Sequence, residues 1–435
     1  MAASALSTLL DHRNGAAEAG IERILNTIRT HLDMEVALAT EVTPDEVVIR
    51  HADSAEGQNF RPGDSFEPEE TYCKRILDGR LPYLMADTSR FPETGKVRAT
   101  AEAPIGSHIS VPLRLSDGRV YGAFCAFRSR PNHSLNERDL KVMHAFADLA
   151  AAEIDAALSA ADTRNDIVDR VQWILDHDRL GTVLQPIYRI DQKRIVGVEA
   201  LARFPDADER PPSDWFQEAA GAGVGIELEL AAVRAALAAL PYLPRDIYLA
   251  VNVSPETLTS GKLLPILEPI PPGRVVLEIT EHAVVMDYAD LDRALVPMRQ
   301  RARIAIDDAG AGYSGLRHIL DLRPDIIKLD MSLTRGIDGD PARAALATAL
   351  VSFSRQIGSL IVAEGVETEA ELARLSELGV DCAQGYFLRR PMPIVAASQL
   401  LMAGGADADA GASRPGAPSG RPAPQRPESD AAATA

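Results

Sequence analysis

Polar and charged side chains recur near the carboxyl ends of short β-rich runs in the second half of the chain. Each run from the second onward carries at least one, and together they are Glu199, Asn252, Glu278, Asp307, Asp308, Lys328, Glu364 and Gln384. The carboxyl ends of the strands in an α/β barrel meet on one face, so we expect these side chains to lie together. Carboxylates crowded at one mouth repel one another unless cations neutralise them.

The donor atoms expected at this mouth are all oxygen, since no Cys or His stands at these strand ends. Hard oxygen ligands favour Mg²⁺ or Mn²⁺ over zinc. Adjacent Asp307 and Asp308 are suited to bridging two ions, and two metals about 3.5–4 Å apart are used for phosphoester hydrolysis. Lys328 would orient the attacking water or stabilise charge at phosphorus, unless it only balances the carboxylates.

Residues 180–402 alternate β-rich runs with helical stretches such as Trp215–Leu240 and Arg343–Ile357. The runs are Val183–Ile190, Ile195–Arg203, Ile247–Val253, Val275–Ile279, Arg303–Asp307, Ile326–Leu329, Leu360–Ala363 and Cys382–Phe387. This pattern predicts a TIM-like (β/α)8 barrel. The first two runs are separated by too few residues for a parallel crossover, so we expect one antiparallel strand.

The first part of the chain, residues 1–155, mixes strands and helices and predicts a separate α+β domain. Residues 109–115 and 120–127 flank Asp117-Gly118, which predicts a β-hairpin. Ser134 and Glu137 have the spacing of a capping box that opens the next helix. At the other end, small and polar residues dominate residues 403–435, which predicts a disordered tail.

A long helix over residues 136–179 is predicted to connect the two domains. Its apolar positions follow heptad-like spacing at Leu140, Met143, Ala147, Ala150, Ile154, Ala157, Ala161, Val168, Val171 and Leu175. Such a stripe is typical of a parallel helix seam, which would make the protein a homodimer. The alternative is a helix that packs on each flanking domain, with a break near residues 162–165.

The composition limits the classes of partner. Of 435 residues, 45 are Lys or Arg and 63 are Asp or Glu, and the net charge is −18. This excess argues against a nucleic-acid polymer, but not against a small nucleotide held by metal ions. No apolar run approaches the length of about 18 residues that a membrane span needs, so we expect a cytoplasmic protein with no membrane contact. The three cysteines are too far apart to indicate a disulfide framework or a CxxC metal site.

Motifs throughout residues 180–402 resemble the EAL family of cyclic di-GMP phosphodiesterases. In the order of the family they are Leu184-Gln185-Pro186-Ile187, Val198-Glu199-Ala200-Leu201-Ala202-Arg203, Val251-Asn252-Val253-Ser254, Leu277-Glu278-Ile279-Thr280-Glu281, Ile306-Asp307-Asp308, Lys328-Leu329-Asp330, Glu364-Gly365-Val366-Glu367 and Gln384-Gly385-Tyr386. The resemblance implies in-line attack by water, which opens cyclic di-GMP to linear 5′-pGpG without a covalent protein intermediate.

The resemblance also implies a role for each matching residue. One Mg²⁺ or Mn²⁺ would be held by Glu199, Asn252, Glu278 and Asp307, and a second would be held or oriented by Asp307, Asp308 and Glu364. Lys328 would contact the attacking water. Gln185 and Arg203 would hold the substrate, with Gln384 supporting the site from the last strand.

The loop after the fifth strand departs from the family pattern. The family usually has Asp-Asp-Phe-Gly-Thr-Gly, whereas Ala309 and Ala311 stand here at the Phe and Thr positions. The glutamate that braces this loop in the family is present as Glu281. We therefore expect metal binding and activity to be retained, with altered regulation or dimer packing.

The N-terminal part resembles a GAF domain, a small sensor module, and its ligand is left open. The resemblance rests on Thr71-Tyr72-Cys73, residues 76–82 and 105–113, and Gly122-Ala123-Phe124. Cys73 is expected to be a half-buried structural thiol, with a chromophore or redox site as the alternative. His108 is expected to be a packing or hairpin residue rather than a haem ligand.

Three functions remain open at this stage. The first is a cyclic di-GMP phosphodiesterase controlled by the GAF-like domain through the connecting helix. The second is a module that binds cyclic di-GMP without hydrolysing it, and the third is a barrel enzyme that acts on another phosphoester. The complete set of acidic residues and Lys328 favours the first over the second, and the motifs around Gln185 and Glu199 weigh against the third.

Overall fold

The computed structural model describes residues 19–403, except for residues 56–59, 98–103, 205–209, 280–287, 310–319 and 321. The predicted tail and Glu281 lie outside the described residues, as do most of the loop after the fifth strand and the side chain of Asp308. No helix within the described ranges is both long and apolar enough to cross a membrane.

The first region is a six-stranded antiparallel sheet with order β3-β2-β1-β6-β5-β4. Its elements are α1 (residues 19–31), β1 (Val36–Val42), β2 (Val47–Ser54), β3 (Ser65–Phe66), α2 (Tyr72–Leu77), β4 (Leu84–Met85), β5 (Ser107–Arg114) and β6 (Val120–Arg128). Short 3-10 helices lie at Pro68–Glu70, Thr88–Arg90 and Pro92–Lys96. The predicted hairpin is confirmed as β5 and β6.

Two apolar clusters cover the two faces of this sheet, because successive side chains of a strand point to opposite faces. One face packs on α1 through residues such as Leu25, Ile109 and Phe124. The other face packs on α2 through residues such as Leu38 and Ile76. Each helix therefore covers a different core.

The second region is a closed eight-stranded barrel. Its strands are β7 (Gly181–Arg189), β8 (Arg194–Arg203), β9 (Tyr248–Val253), β10 (Val275–Ile279), β11 (Ala302–Ala309), β12 (Ile326–Leu329), β13 (Leu360–Ala363) and β14 (Cys382–Ala383). Neighbours pair in this order and β14 pairs with β7 to close the barrel. As predicted, only β7 of these eight runs antiparallel to its neighbours.

The helices of this half follow the strands. Helix α3 (Glu137–Asp176) precedes the barrel. The barrel helices are α4 (Pro212–Ala222), α5 (Gly225–Leu237), α6 (Pro255–Thr259), α7 (Leu264–Leu267), α8 (Tyr288–Met298), α9 (Met331–Thr334), α10 (Pro341–Ile357), α11 (Glu369–Glu377) and α12 (Ile394–Met402). A 3-10 turn lies at Leu240–Tyr242, and a short strand β15 (Met392–Pro393) pairs with β7. The helical stretch predicted over residues 215–240 contains two helices, because Gly223 at φ 85° ends α4 in the left-handed conformation.

The last barrel strand is shorter than predicted and ends at Ala383, so Gln384 follows the strand rather than lying in it. The chain turns there because Gly385 passes close to the backbone of Val366. A Cβ atom at Gly385 would lie 2.1 Å from the carbonyl oxygen of Val366.

The connecting helix α3 is continuous through Arg164, without the predicted alternative break. The face proposed as a dimer seam is largely buried within the chain. Met143, Ala147 and Ile154 lie in the core of the first region, and Val171 packs near Trp215 of α4. The seam prediction is therefore wrong for these positions, because the apolar stripe covers the chain's own domains. The formation of a homodimer stays a prediction.

The start of α3 also differs from the prediction. Asn136 is the N-cap, and its side chain and that of Asp139 form the capping box. Ser134 does not cap the helix, because its hydroxyl donates a hydrogen bond of 2.6 Å to Asn132 Oδ1. Asp139 takes the role that was expected of Glu137, because it lies three residues after the N-cap. The capping box therefore lies two residues later in the chain than predicted.

Candidate active site

The ammonium group of Lys328 lies at the centre of the predicted acidic residues. Glu199 lies on β8, Glu278 on β10, Asp307 on β11 and Lys328 on β12, and Glu364 follows β13 directly. Lys328 Nζ lies 2.6 Å from Glu364 Oε1, 2.8 Å from Glu278 Oε2, 3.2 Å from Asp307 Oδ1 and 3.7 Å from Glu199 Oε1. The expected convergence at the carboxyl ends of the strands is therefore present.

Glu199 accepts hydrogen bonds from two amide side chains, one of which is bonded to a third amide. Gln384 Nε2 donates to Glu199 Oε2 at 2.6 Å, and Asn252 Nδ2 donates to Glu199 Oε1 at 3.1 Å. Gln384 also donates to Gln185 Oε1 at 3.0 Å, and Gln185 lies directly opposite Glu199 in the β7–β8 pair. Gln185 in turn donates to the carbonyl oxygen of Arg389 at 3.1 Å. This network fixes the orientation of the Glu199 carboxylate.

The charges of this cluster are unbalanced, and the pKa values reflect that. Burial raises the pKa of Glu278 well above its usual range, and the neighbouring carboxylates oppose the lowering effect of Lys328. Burial likewise raises the pKa of Glu364 to about 8, again against the influence of Lys328. Burial also tends to raise the pKa of Glu199, but Lys328 and its hydrogen bonds from Gln384 and Asn252 bring it below the usual value.

Burial alone would lower the pKa of Lys328, but the surrounding carboxylates outweigh burial and hold the pKa well above its usual value. The carboxylates therefore favour the protonated form of the lysine, which donates a hydrogen bond to Glu278 Oε2 at 2.8 Å. Four carboxyl groups face one ammonium, and the raised pKa values of Glu278 and Glu364 mean that further positive charge is needed to keep all four ionised.

The arrangement suits hard divalent ions in its donor chemistry. Among the described side chains, no three acidic, imidazole or thiol groups are spaced to hold a metal as they stand. The oxygens of this cluster instead converge on the lysine. Excess negative charge remains, and the less deeply buried oxygen donors are on Asp307 and Glu364, whose side chains are 13% and 20% exposed. Asn252, which donates to Glu199, is exposed as well. Oxygen donors with uncompensated negative charge fit Mg²⁺ or Mn²⁺.

A cavity of about 420 Å³ adjoins the acidic cluster and is lined by Asn252 and Arg203, among others. The side chain of Arg203 is exposed, and its Nη1 atom donates to the carbonyl oxygen of Ala202 at 2.8 Å. The structure therefore places Arg203 at the cavity wall and not in the acidic cluster. Of the remaining predicted residues, Asp308 continues β11, but its side chain is outside the described part, and so is Glu281.

Glu229 was missed by the sequence reasoning. Its carboxylate accepts hydrogen bonds from Ser254 N at 3.0 Å and Ser254 Oγ at 2.8 Å, two residues after Asn252. It also lines the cavity, and burial raises its pKa. One signal for this residue was present in the sequence. Glu229 is an acidic residue between Leu228 and Leu230, which are both buried positions of α5.

A left-handed glycine sets the backbone immediately after Glu364. Gly365 has φ 66°, and a Cβ atom there would lie 2.6 Å from the Cβ of Met331. Both the backbone conformation and the space therefore require glycine. This turn leaves Glu364 at the barrel mouth while the chain passes on to α11.

The comparisons with known proteins agree with this fold. Residues 168–391, just over half of the chain, match the EAL domain, and residues 18–155 match the GAF domain. The solved structure "EAL Enzyme Bd1971 - cAMP and cyclic-di-GMP bound form" superposes with a TM-score of 0.53 at 18% identity, covering 85% of this chain and 93% of that one. At this identity the likeness concerns the fold.

Two curated relatives resemble this chain over only part of their own length. The cyclic di-GMP phosphodiesterase RocR of Pseudomonas aeruginosa is 32% identical over 231 residues, which are 50% of this chain and 59% of that protein. An uncharacterized signaling protein of Caulobacter vibrioides is 32% identical over 342 residues, which are 75% of this chain and 40% of that protein. The chain thus spans less than two thirds of either relative.

Proposed function

This chain belongs to the EAL domain family, and from that premise we propose that it hydrolyses cyclic di-GMP to linear 5′-pGpG with the help of two Mg²⁺ or Mn²⁺ ions. The observation that carries the proposal is the convergence of four carboxylates on Lys328 at the carboxyl ends of the barrel strands. The similarity of the barrel to a phosphodiesterase from Pseudomonas aeruginosa supports the same substrate.

The residues that would hold the ions are Glu199, Asn252, Glu278, Asp307, Asp308 and Glu364. Bound divalent ions would supply an activated water and neutralise charge on the phosphodiester. The excess of carboxylates over ammonium groups supports this assignment, because buried like charges are costly without a compensating cation. Glu199, Asp308 and Glu364 form the catalytic set together with Lys328.

The chain's own side chains position the reacting groups. Lys328 stays protonated, so it stabilises the negative charge that develops at phosphorus and holds the attacking water by donating a hydrogen bond. Gln384 and Gln185 keep the Glu199 carboxylate in one orientation. Arg203 offers a guanidinium to a substrate phosphate at the cavity wall. Glu281 is proposed to brace the loop after β11.

The chain is proposed to divide into a GAF sensor (residues 1–155), the helix over residues 136–179, the EAL barrel (residues 180–402) and a tail from residue 403. Helix α3 supports regulation of the barrel by the sensor, because its two halves are buried in different cores. Arg164 Nε of α3 donates to the carbonyl oxygen of Ala222 at 3.1 Å, and Arg170 lies over the ring of Trp215. These contacts would pass a movement of the sensor-side half of α3 to α4, the first helix of the barrel region after β8.

The test is turnover by the purified full chain with Mg²⁺ or Mn²⁺, followed by chromatography of cyclic di-GMP and pGpG. Glu199→Gln keeps the size of the side chain but removes its charge and one acceptor oxygen, so we expect turnover to fall by about 10²–10³-fold. The matched control is Glu227→Gln, which alters an exposed ion pair with Lys262 and should turn over like the wild type. Intact cyclic di-GMP retained with bound metal would instead support a module that binds without hydrolysis.

A further inference from the structure

The cavity on the α2 side of the sensor sheet contains two cysteines that the proposed function does not use. It has a volume of about 420 Å³ and is lined by Cys73 and Cys125 together with Thr40 and His108. Ser65 and Phe66 also line it and are exposed, so the cavity reaches the protein surface. A water molecule takes about 30 Å³ of liquid volume, so a small solute has ample room inside.

The two thiols share one site. Both are free and buried, line the same cavity and pack in the same apolar cluster, and each shifts the pKa of the other. They come from different elements, since Cys73 lies in the first turn of α2 and Cys125 in the middle of β6. The spacing of the three cysteines in the sequence gave no sign of this pair.

Both elements hold their thiol firmly. The Thr71 hydroxyl caps α2 by accepting from Lys74 N at 3.3 Å, and Arg75 ties α2 to the carbonyl oxygen of Glu69 at 2.9 Å. Strand β6 is paired on both sides, with Cys125 opposite Leu38 of β1 and Ser110 of β5. The backbone positions of the two cysteines are therefore set by the fold.

We propose that Cys73 and Cys125 are an oxidation site at which a hydroperoxide that enters the cavity joins the two cysteines in a disulfide. The bond would tie α2 to the central strand of the sensor sheet. It does not depend on the proposed hydrolysis of cyclic di-GMP.

The two thiols have different roles in this reaction. The interaction with Cys125 lowers the pKa of Cys73, whereas the same interaction, together with burial, raises the pKa of Cys125. The Cys73 thiolate attacks one peroxide oxygen, a sulfur–oxygen bond forms, the oxygen–oxygen bond breaks, and the departing hydroxide takes the proton released by Cys73 as water. Cys125 sulfur then displaces hydroxide from the sulfenic acid, and that hydroxide leaves as water with the Cys125 proton. Two thiols and one hydrogen peroxide give one disulfide and two waters.

Cys382 is the control that the chain itself provides. It lies in the barrel strand β14, apart from the other two, and burial raises its pKa to about 11. Because the thiolate is the nucleophile, Cys382 should react at least about tenfold more slowly than Cys73.

The experiment treats the reduced full chain with hydrogen peroxide and counts free thiols after denaturation, followed by peptide mapping. We expect two of three thiols to be lost, a linked pair of peptides containing Cys73 and Cys125, and full recovery with dithiothreitol. Cys382→Ser should form the same link. Cys125→Ser should stop at a sulfenic acid on Cys73 that a dimedone probe traps.

Three results would overturn the proposal in the wild-type chain, where no substitution can disturb folding. They are three thiols still free after peroxide treatment, oxidation of Cys382 as fast as Cys73, or disulfides only between chains.

Discussion

Lys328 is fully buried, yet four carboxylates surround its ammonium group. A buried charge is tolerated only when it is paired, so lysine and carboxylates depend on one another. At the scale of single residues the candidate active site is thus also a determinant of stability.

Replacement of this lysine tests that dependence. Lys328→Met keeps the length of the side chain but leaves the acidic cluster without its ammonium, so we expect a loss of about 3 kcal/mol in the free energy of unfolding without divalent ions. Added Mg²⁺ should restore part of the loss in stability but not the turnover. Chemical denaturation with and without Mg²⁺ measures the first, and the pGpG assay the second.

The control for this variant is Lys262→Met, which removes an exposed lysine paired with Glu227. Exposed pairs contribute about 0–1 kcal/mol, so its stability should stay close to the wild type. Equal stability of both variants would contradict a structural role for the Lys328 ammonium.

His108 is a second buried titratable residue, in the sensor domain. Its ring stacks on Tyr72 at 4.9 Å between centroids, its Nδ1 atom has no hydrogen-bond partner, and burial lowers its pKa from 6.5 to about 3. The unfolded chain takes up the proton near pH 6.5 and the folded chain does not. The unfolded state therefore binds more protons, and stability falls as the pH drops from 6.5 towards 3.

This linkage predicts that the sensor domain loses about 2 kcal/mol of stability between pH 7 and pH 5 through His108. His108→Phe keeps an aromatic ring against Tyr72 and removes the titration, so its stability should depend less steeply on pH. Hydrogen exchange of β5 and β6 at several pH values reports on this domain. Identical pH slopes for wild type and variant would show that His108 is not the group responsible.

At the scale of elements, helix α3 carries the connection between the two regions. Its sensor half is buried through Met143 and Ile154, and its barrel half through Val171 and Ile174. Between them the helix is exposed over residues 161–166. That segment is not buried in a core, which makes it the place to test the proposed transmission along α3.

A proline in this segment should uncouple the two regions. Asn165→Pro removes a helical hydrogen bond and clashes with the preceding turn, at a cost of about 3 kcal/mol to the helix. We expect new protease cleavage near residues 161–166 and a change in the rate of pGpG formation. Asn165→Ala is the control, because alanine keeps the helical hydrogen bond, and it should leave both the cleavage pattern and the rate unchanged. A proline variant with the wild-type rate would argue against α3 as the transmitter.

At the scale of the whole molecule, the sensor and the barrel have separate apolar cores. A ligand that binds only the folded barrel stabilises that region through mass action. The active-site strands and the sensor strands should therefore respond differently to metal ions.

Divalent ions should accordingly protect the barrel and not the sensor sheet. At a free Mg²⁺ concentration about 100 times the Kd, the stabilisation is about 2.7 kcal/mol. Hydrogen exchange should slow in β8, β10 and β12 and stay the same in β1 and β6, and EDTA should reverse the effect. Equal slowing in both sheets would mean that the metal acts elsewhere than at the acidic cluster.

The sequence alone determined the barrel, its reversed strand and the acidic residues at its mouth. Strand β10 was placed at its observed bounds, and Glu278 and Lys328 were assigned to the mouth. The reason is local, because strands alternate with helices and the parallel strands end on one face, so position along a strand predicts position in the barrel.

Only the tertiary structure decided which partners these elements have. A heptad-like stripe shows that one face of α3 is apolar, but not that the face packs on the chain's own domains. The support of Ser254 by Glu229 and the shared site of Cys73 and Cys125 are of the same kind. Such pairs are far apart in the chain and come together only when a helix covers a sheet or a barrel closes. The periodicity of a sequence does not predict such long-range contacts.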